Sequence, residues 1–237
     1  MELVAYDEAF VDDPSLGGIL ARARASGVPV VALREGVLAR LADAVNPQPL
    51  VACLKGRPGS LDELSDDASF VLVAHRIADP GNLGALMRIA EASGADAVVV
   101  TGSSADPYGP KALRGSAGSA LRLPVLEHSD GLDALVVLRA RGLVVVGTSP
   151  HEGQDFAHLS WPEKVALVLG NEAHGLDVEL LRAGDVAVRI PMADTVESLN
   201  LSVAAGILAM SFRRGLRAPG EPPDTSTIDA MLPSDPS

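Results

Sequence analysis

The strongest constraint on the fold is an alternation, from residue 70 onward, of short apolar runs with stretches of helical period. The apolar runs have the length of strands and lie at residues 70–74, 97–100, 143–147, 165–169 and 186–190. Segments with helical spacing lie at residues 83–93, 132–141 and 197–214. Strands that are apolar on both faces and alternate with helices are typical of a parallel sheet covered on both sides. The sequence therefore predicts an α/β fold with helices on both faces of a parallel sheet.

A smaller unit precedes this region. Helical segments at 16–26 and 36–44 are interleaved with short strands at 29–33 and 50–54. The Gly- and Pro-rich stretch that follows is predicted to be a linker, although a surface loop within one domain remains an alternative. We predict domains at 1–60 and 61–217, and a disordered acidic tail at 218–237, which has five prolines and no periodicity.

The charge and the hydropathy of the chain limit its possible functions. The formal net charge is −12, which is the wrong sign on average for a protein that binds nucleic acid. Part of the imbalance is local, because the last twenty residues hold four acids and no Lys or Arg, and a basic patch elsewhere remains compatible with it. No apolar run reaches the roughly 18–20 residues that span a bilayer. The N-terminus also lacks the features of a signal peptide.

The single cysteine, Cys53, excludes an internal disulfide and a metal cluster of cysteines. We expect Cys53 to be a small buried hydrophobe in a cytoplasmic protein. The five histidines show no pattern that requires a metal.

Three loops carry polar residues at predicted ends of strands or helices. The first, residues 79–84 (DPGNLG), opens a helix on which Arg88 follows. The second, residues 169–176 (LGNEAHGL), brackets Asn171 and Glu172 with two glycines, so that the backbone can approach a ligand closely. The third combines residues 190–192 with the polar Ser198 and Asn200. Taken singly, each loop is also explained by a solvated residue, an ordinary turn or a helix cap.

Taken together, the loops resemble the three signature motifs of the SpoU/TrmH RNA methyltransferases, a branch of the SPOUT superfamily. The matching segments are HRIADPGNLGALMRIAEASGADAVVV (75–100), ALVLGNEAHGL (166–176) and VRIPMADTVESLNLSVAAGILA (188–209), with KALRGSAGSALRLPV (111–125) resembling the segment between the first two motifs. The resemblance covers residues 70–214. Residues 26–54 are more weakly similar to the later part of the ribosomal-protein-L30e-like domain that precedes many members. The opening segment of that domain is not found here, so the resemblance implies an incomplete RNA-binding domain.

The resemblance implies a C-terminal trefoil knot, a homodimer with sites at its interface, and S-adenosylmethionine as cofactor, without a metal or a membrane. It implies a methyl transfer to a ribose 2′-hydroxyl in ribosomal or transfer RNA. Residues that match the family's functional positions are Asn82, Arg88, Glu172, Ser198 and Asn200. Residues that match the cofactor pocket are Thr148, Leu169, Gly170, Asn171, Gly175, Ile190, Met192, Ser198 and Leu199.

The role of Arg88 has two alternatives. The family proposal makes it the base that removes the hydroxyl proton, but a guanidinium is essentially always protonated. A cationic Arg88 could instead bind a neighbouring phosphate and stabilise the developing alkoxide.

Two other kinds of protein are alternatives. One is an RNA-binding protein of the same fold without catalysis, against which the intact motif residues argue. The other is a nucleotide-dependent oxidoreductase, which would need a glycine fingerprint where this chain has PGNLG.

The basic residues are concentrated in two parts of the chain. Lys111, Arg114 and Arg122 lie between the first two motifs, and a second group, in the N-terminal unit, comprises Arg22, Arg24, Arg34 and Arg40. We predict that these groups and Arg88 line one positive face that binds RNA, with scattered solubilising charges as the alternative.

Overall fold

The computed structural model describes residues 1–41 and 48–215. The chain divides into two compact units, Met1–Arg57 and a second unit that begins at Pro58. The border predicted at residue 60 lies three residues after this division. The predicted tail at 218–237 and the end of the predicted helix at 36–44 lie outside the described residues.

The first unit contains a three-stranded sheet in the order β2-β1-β3. Its strands are β1 (Leu3–Asp7), β2 (Val30–Leu33) and β3 (Leu50–Cys53), and its helices are α1 (Pro14–Ala25) and α2 (Val37–Leu41). The central strand β1 is parallel to β2 and antiparallel to β3. Helix α1 begins where the Asp13 carboxylate accepts the Ser15 N–H ahead of a proline in the first turn.

The expectation that Cys53 is buried is wrong. Its side chain is exposed. The core of this unit is formed by Val4, Tyr6, Leu16, Leu20 and Ala23. Leu50 and Ala52 of β3 pack against this core, whereas Cys53 does not. An apolar sequence run does not reveal which of its residues face outward on a short edge strand.

The second unit is built on an eight-stranded sheet in which every neighbouring pair is parallel. The strand order is β4-β7-β6-β5-β10-β8-β11-β9. The strands are β4 (Gly59–Ser60), β5 (Phe70–His75), β6 (Ala97–Thr101), β7 (Val125–His128), β8 (Val144–Thr148), β9 (Gln154–Asp155), β10 (Val165–Leu169) and β11 (Val186–Arg189). Residues 59 and 60, the last two of the predicted linker at 55–60, therefore form an edge strand.

Helices cover both faces of this sheet, as predicted. They are α3 (Pro80–Ala92), α4 (Pro110–Ser116), α5 (Gly131–Ala140), α6 (Val178–Ala183) and α7 (Leu201–Gly215). Alternate residues of the central strand β5 enter two separate cores: Leu72 packs in the core with α3, α4 and α7, and Val73 packs in the core with α5 and α6. Two faces of hydrophobic packing explain why this strand is apolar throughout.

Two helix boundaries differ from the sequence prediction. Helix α3 begins three residues earlier than predicted, because Pro80 occupies its first turn and the Asp79 carboxylate accepts the Asn82 N–H at 2.9 Å. Helix α7 begins at Leu201, four residues later than predicted, and the Asn200 carboxamide oxygen accepts the Ser202 N–H at 2.9 Å. The preceding polar residues are therefore loop residues that can face a ligand.

Helices α3 and α4 cross closely enough that only glycines fit. A methyl group on Gly84 would lie 2.4 Å from the Ala112 carbonyl oxygen and 2.9 Å from the Gly115 Cα atom. The crossing holds the segment after α4 beside α3. At the far end of α3, Phe212 of α7 packs on Phe70 with ring centroids 4.5 Å apart.

Among residues 1–41 and 48–215, no helix has both the length and the apolar character needed to cross a membrane. Within the same ranges, no group of three or more His, Cys, Asp or Glu side chains is arranged to hold a metal ion.

Candidate active site

The strand order reverses direction between β5 and β10. From β5 the sheet continues through β6 to β7 on one side, and from β10 it continues through β8 to β11 on the other. The loops that leave the carboxyl ends of β5 and β10 are therefore neighbours that diverge. Ligands of open α/β sheets bind in the crevice at such a switch point.

A cavity of about 400 Å³ opens beside this point. Its walls come from the loops that follow β8, β10 and β11, together with the start of α7. The volume is within the range of sites for small molecules and cofactors.

The cavity brings together all nine residues that the sequence assigned to a cofactor pocket. They are Thr148, Leu169, Gly170, Asn171, Gly175, Ile190, Met192, Ser198 and Leu199. The first and last of them are 51 positions apart in the chain, so the fold makes a site from three separate segments. Leucine, isoleucine and methionine side chains give the cavity apolar walls, and the glycines give it accessible backbone.

The glycine at position 170 is required by the close path of its own loop. A Cβ atom there would lie 2.3 Å from the carbonyl carbon and oxygen of Gly175. The Gly175 N–H donates to the Asn171 carbonyl oxygen at 2.8 Å, which closes the turn. The Asn171 carboxamide oxygen also accepts the Ala173 N–H at 2.9 Å. Residues 170–177, which hold three of the residues predicted to bind the cofactor and are called the cofactor loop below for that prediction, therefore form a compact hydrogen-bonded turn.

Glu172 connects the cavity to the first motif. Its carboxylate accepts the backbone N–H groups of Ala78 and Asp79 at 3.4 and 3.3 Å. It also accepts the side-chain amide of Asn82 at 3.1 Å. Two residues predicted to be functional from different motifs, Asn82 and Glu172, thus meet directly across the switch point.

The remaining predicted catalytic residues have different positions. Ser198 lines the cavity, whereas Asn200 sits at the start of α7 and makes the cap described above. Arg88 is exposed on α3, six residues after Asn82 and therefore about 9 Å further along the helix axis. It does not line the cavity, and it makes no hydrogen bond or ion pair with any residue that the structure describes.

Two of the predicted RNA-binding cations are engaged in ion pairs. Lys111 lies 2.6 Å from Asp79, which lowers the pKa of that carboxyl, and the Asn82 N–H lowers it further. Arg122 lies 2.6 Å from Glu91 and, together with the Ser119 hydroxyl, lowers the pKa of Glu91 to about 2.

Asp79 and Glu91 flank opposite ends of α3, roughly 18 Å apart. The two cations therefore do not form one cluster. Arg114 is exposed, with no acid paired to it among the described residues.

Sequence reasoning missed one wall of the cavity. The loop after β8 contributes Ser149, Pro150, His151 and Glu152. The sequence did contain a signal for these residues, because they directly follow a predicted strand. Ligands of open α/β sheets bind at the carboxyl ends of the strands. The inner face of α7 closes the cavity with Leu201, Ala204 and Leu208, which a hydrophobic stripe cannot distinguish from ordinary core.

Comparison with known proteins gives the following similarities. Residues 69–210 match the model of the SpoU rRNA Methylase family. An uncharacterized tRNA/rRNA methyltransferase of Synechocystis is 35% identical over 182 residues, an alignment that covers 75% of this chain and 65% of that protein. The 23S rRNA (guanosine(2553)-2′-O)-methyltransferase of Bacillus subtilis is 34% identical over 189 residues, covering 79% of this chain and 74% of that protein.

Solved structures are similar over most of the chain. An AdoMet-bound rRNA methyltransferase from Sinorhizobium meliloti has a TM-score of 0.81 at 30% identity, covering 92% of this chain and 81% of that one. A SpoU methyltransferase from Streptomyces viridochromogenes, in complex with the cofactor AdoMet, has a TM-score of 0.81 at 28% identity and covers 90% of this chain and 82% of that one.

Proposed function

Because the chain belongs to the SpoU rRNA Methylase family, we propose that it transfers the methyl group of S-adenosylmethionine to a ribose 2′-hydroxyl of ribosomal or transfer RNA. The observation that carries this proposal is the convergence of the second and third motifs on one cavity, to which Glu172 joins Asn82 of the first motif. The names of the relatives agree, since they include 23S rRNA 2′-O-methyltransferases.

The residues of the cavity suit this cofactor. Apolar side chains of Leu169, Ile190 and Leu199 offer a surface for an adenine ring, and the loop backbone offers hydrogen-bonding groups. Two solved neighbours that align over at least 90% of this chain hold AdoMet. When bound, S-adenosylmethionine supplies a methyl group activated by a sulfonium.

The proposed reaction requires alignment and the loss of one proton. The ribose 2′-oxygen would form a bond to the methyl carbon while the carbon–sulfur bond breaks, S-adenosylhomocysteine would leave, and the hydroxyl proton would pass to water. A rigid site contributes by holding the reacting atoms in line. The five hydrogen bonds that join the cofactor loop to residues 76–82 supply such rigidity.

Arg88 is proposed to act on the RNA. It is exposed and has no acidic partner among the described residues, so its guanidinium is available to a phosphate. We favour electrostatic stabilisation of the developing alkoxide over proton removal, because a solvated guanidinium stays protonated.

A homodimer is part of the proposal. Arg88 lies away from the cavity of its own chain, which is compatible with a site completed between two copies. Helix α7 also exposes large apolar side chains on one stripe, with Val203 51% and Met210 44% accessible seven residues apart. Replacing both with lysine should convert a dimer into a monomer in sedimentation experiments. An active wild-type protein that sediments as a monomer would contradict the assembly.

We further propose the trefoil knot, an RNA-binding role for the L30e-like first unit, and a cytoplasmic location. After β10 the chain forms β11 beyond β8, and α7 then returns to pack against α3 and β10. A C-terminal segment threaded through a loop would follow such a path. A cytoplasmic location agrees with the proposed RNA substrates, and the exposed Cys53 thiol is suited to a reducing compartment.

The proposed function is tested with S-adenosylmethionine labelled in its methyl group and total RNA. We expect label in RNA at a nucleotide whose ribose resists alkaline cleavage on its 3′ side. The control is Arg88→Ala, which should bind S-adenosylhomocysteine like the wild type but transfer no label. Label on a base would refute a ribose methyltransferase in favour of a base methyltransferase, and no label on any RNA despite cofactor binding would favour an RNA-binding protein of this fold.

A further inference from the structure

Arg76, the residue that follows β5, has an unusual backbone conformation. Its φ angle is 54°, in the left-handed region that side chains with a Cβ atom rarely adopt. Its N–H donates to the Thr101 carbonyl oxygen of β6 at 3.1 Å. Its carbonyl oxygen accepts the side-chain amide of Asn171 at 2.9 Å, across the switch point. The turn at Arg76 therefore connects the backbone of β5 to the beginning of the cofactor loop.

The side chain of Arg76 contacts the other end of the same loop. Its Nη1 atom lies 2.7 Å from the Asp177 Oδ2 atom. The Nε2 atom of His75, which is only 5% exposed and has no hydrogen-bond partner among the described residues, lies 3.5 Å from the same carboxylate oxygen. The Arg76 guanidinium therefore contacts the Asp177 carboxylate, and the buried His75 ring lies beside the same carboxylate.

The neighbouring strand leaves room for this arrangement. Gly102, at the end of β6, has a φ angle of 65°, and a Cβ atom there would lie 2.9 Å from the Arg76 Cγ atom. The same Cβ atom would lie 3.3 Å from the His75 ring. A larger residue at position 102 would therefore require the Arg76 or His75 side chain to shift.

We propose that Arg76 and Asp177 form a clamp that holds both ends of the cofactor loop against β5, which makes Arg76 a positioning residue for S-adenosylmethionine. The inference rests on the proposed function, which identifies the ligand of this loop. Asn171 fixes the beginning of the loop to the Arg76 carbonyl, and Asp177 fixes its end to the Arg76 guanidinium. Arg76 therefore contacts both the first and the last part of the loop.

The clamp contributes to binding through preorganisation. The two charged side chains are about half exposed, and an ion pair of this kind adds little to global stability. A loop that is already ordered loses less conformational freedom when a ligand binds. Loss of the clamp should therefore weaken cofactor binding without unfolding the protein.

The test compares single and double variants by calorimetry with S-adenosylhomocysteine. We expect Arg76→Ala and Asp177→Ala each to raise the Kd roughly three- to tenfold, as ordering one or two side chains implies. The two changes have opposite effects on net charge, so a shared loss cannot come from overall electrostatics. The double variant should be no worse than either single variant, since both remove the same contact.

Two further variants separate a positioning role from general damage. Arg76→Lys should recover most of the affinity, because the observed contact uses a single nitrogen. Arg182→Ala removes a nearby exposed cation that has no ion pair among the described residues, and it should bind like the wild type. In steady-state assays Arg76→Ala should raise the KM for S-adenosylmethionine while kcat stays within about twofold.

The outcomes distinguish this inference from the function on which it rests. A wild-type protein that does not bind S-adenosylhomocysteine would overturn the proposed function. A wild-type protein that binds it, with Arg76→Ala and Asp177→Ala within twofold of the wild-type Kd, would overturn the clamp alone. Additive losses in the double variant would also overturn it, since they would mean that the two residues act separately.

Discussion

Replacement of Gly170 by alanine should damage the cofactor loop more than a comparable glycine change elsewhere. The new methyl group would lie 2.3 Å from the carbonyl carbon and oxygen of Gly175 and 2.4 Å from the Leu176 nitrogen. Comfortable contacts between such atoms begin near 3.5 Å, so the Gly175–Leu176 backbone must retreat by roughly 1 Å. That movement would break the 2.8 Å hydrogen bond from the Gly175 N–H to the Asn171 carbonyl oxygen.

The expected cost follows from overpacking of a closely packed site. Such changes reduce the free energy of unfolding by about 1–3 kcal/mol. For a unit of this size, each kcal/mol lowers Tm by roughly 2–4 °C, so a decrease of about 2–12 °C is expected. The affinity for S-adenosylhomocysteine should fall as well, because the displaced backbone lines the cavity.

The matched control is Gly142→Ala at the end of α5. Gly142 has a φ angle of 82° with nothing within 4 Å of an added Cβ atom, so alanine there costs only the left-handed conformation, about 1–2 kcal/mol. Thermal melts and calorimetry should show that both variants lose stability but only Gly170→Ala loses cofactor affinity. Wild-type affinity in a folded Gly170→Ala protein would refute the argument that this glycine is required by the cavity.

Three further predictions concern the core, the acid range and the catalytic arginine. Phe212→Ala should reduce the free energy of unfolding by about 3–5 kcal/mol in urea titrations, because this ring is buried and packs on Phe70 and Trp161. The low pKa of Glu91, about 2 against an ordinary 4.5, means that its contribution to stability is present above pH 4.5 and is lost as pH falls toward 2. Arg122→Ala should therefore flatten the decline in stability over that range, and equal slopes would contradict the assignment. Arg88→Ala should abolish methyl transfer while the Kd for S-adenosylhomocysteine stays unchanged, and near-normal turnover would remove Arg88 from the mechanism.

Sequence patterns predicted the layers of the second unit because hydrophobic burial acts residue by residue. Strand β5 is apolar at every position, and each of its faces packs in a different core. Helix starts were less accurate, since the first turn of α3 is defined by Asp79 and Pro80 rather than by an apolar period. The prediction that Cys53 is buried was wrong for a related reason. An apolar run indicates that its residues favour burial, but it does not indicate which side of an edge strand is covered.

The amino-acid sequence by itself determined the class of fold, the motifs and nine of the residues that line the cavity. Only the tertiary structure decided which of those residues touch. It joins Asn82 to Glu172 over 90 positions of chain, turns Asn200 into a helix cap, and pairs Lys111 and Arg122 with acids. It also gives Arg76 its left-handed turn and its contacts with both ends of the cofactor loop. Burial and propensity are largely local and can be read along the chain, whereas hydrogen bonds and ion pairs across the switch point depend on strand order, which is set by the packing of the whole sheet.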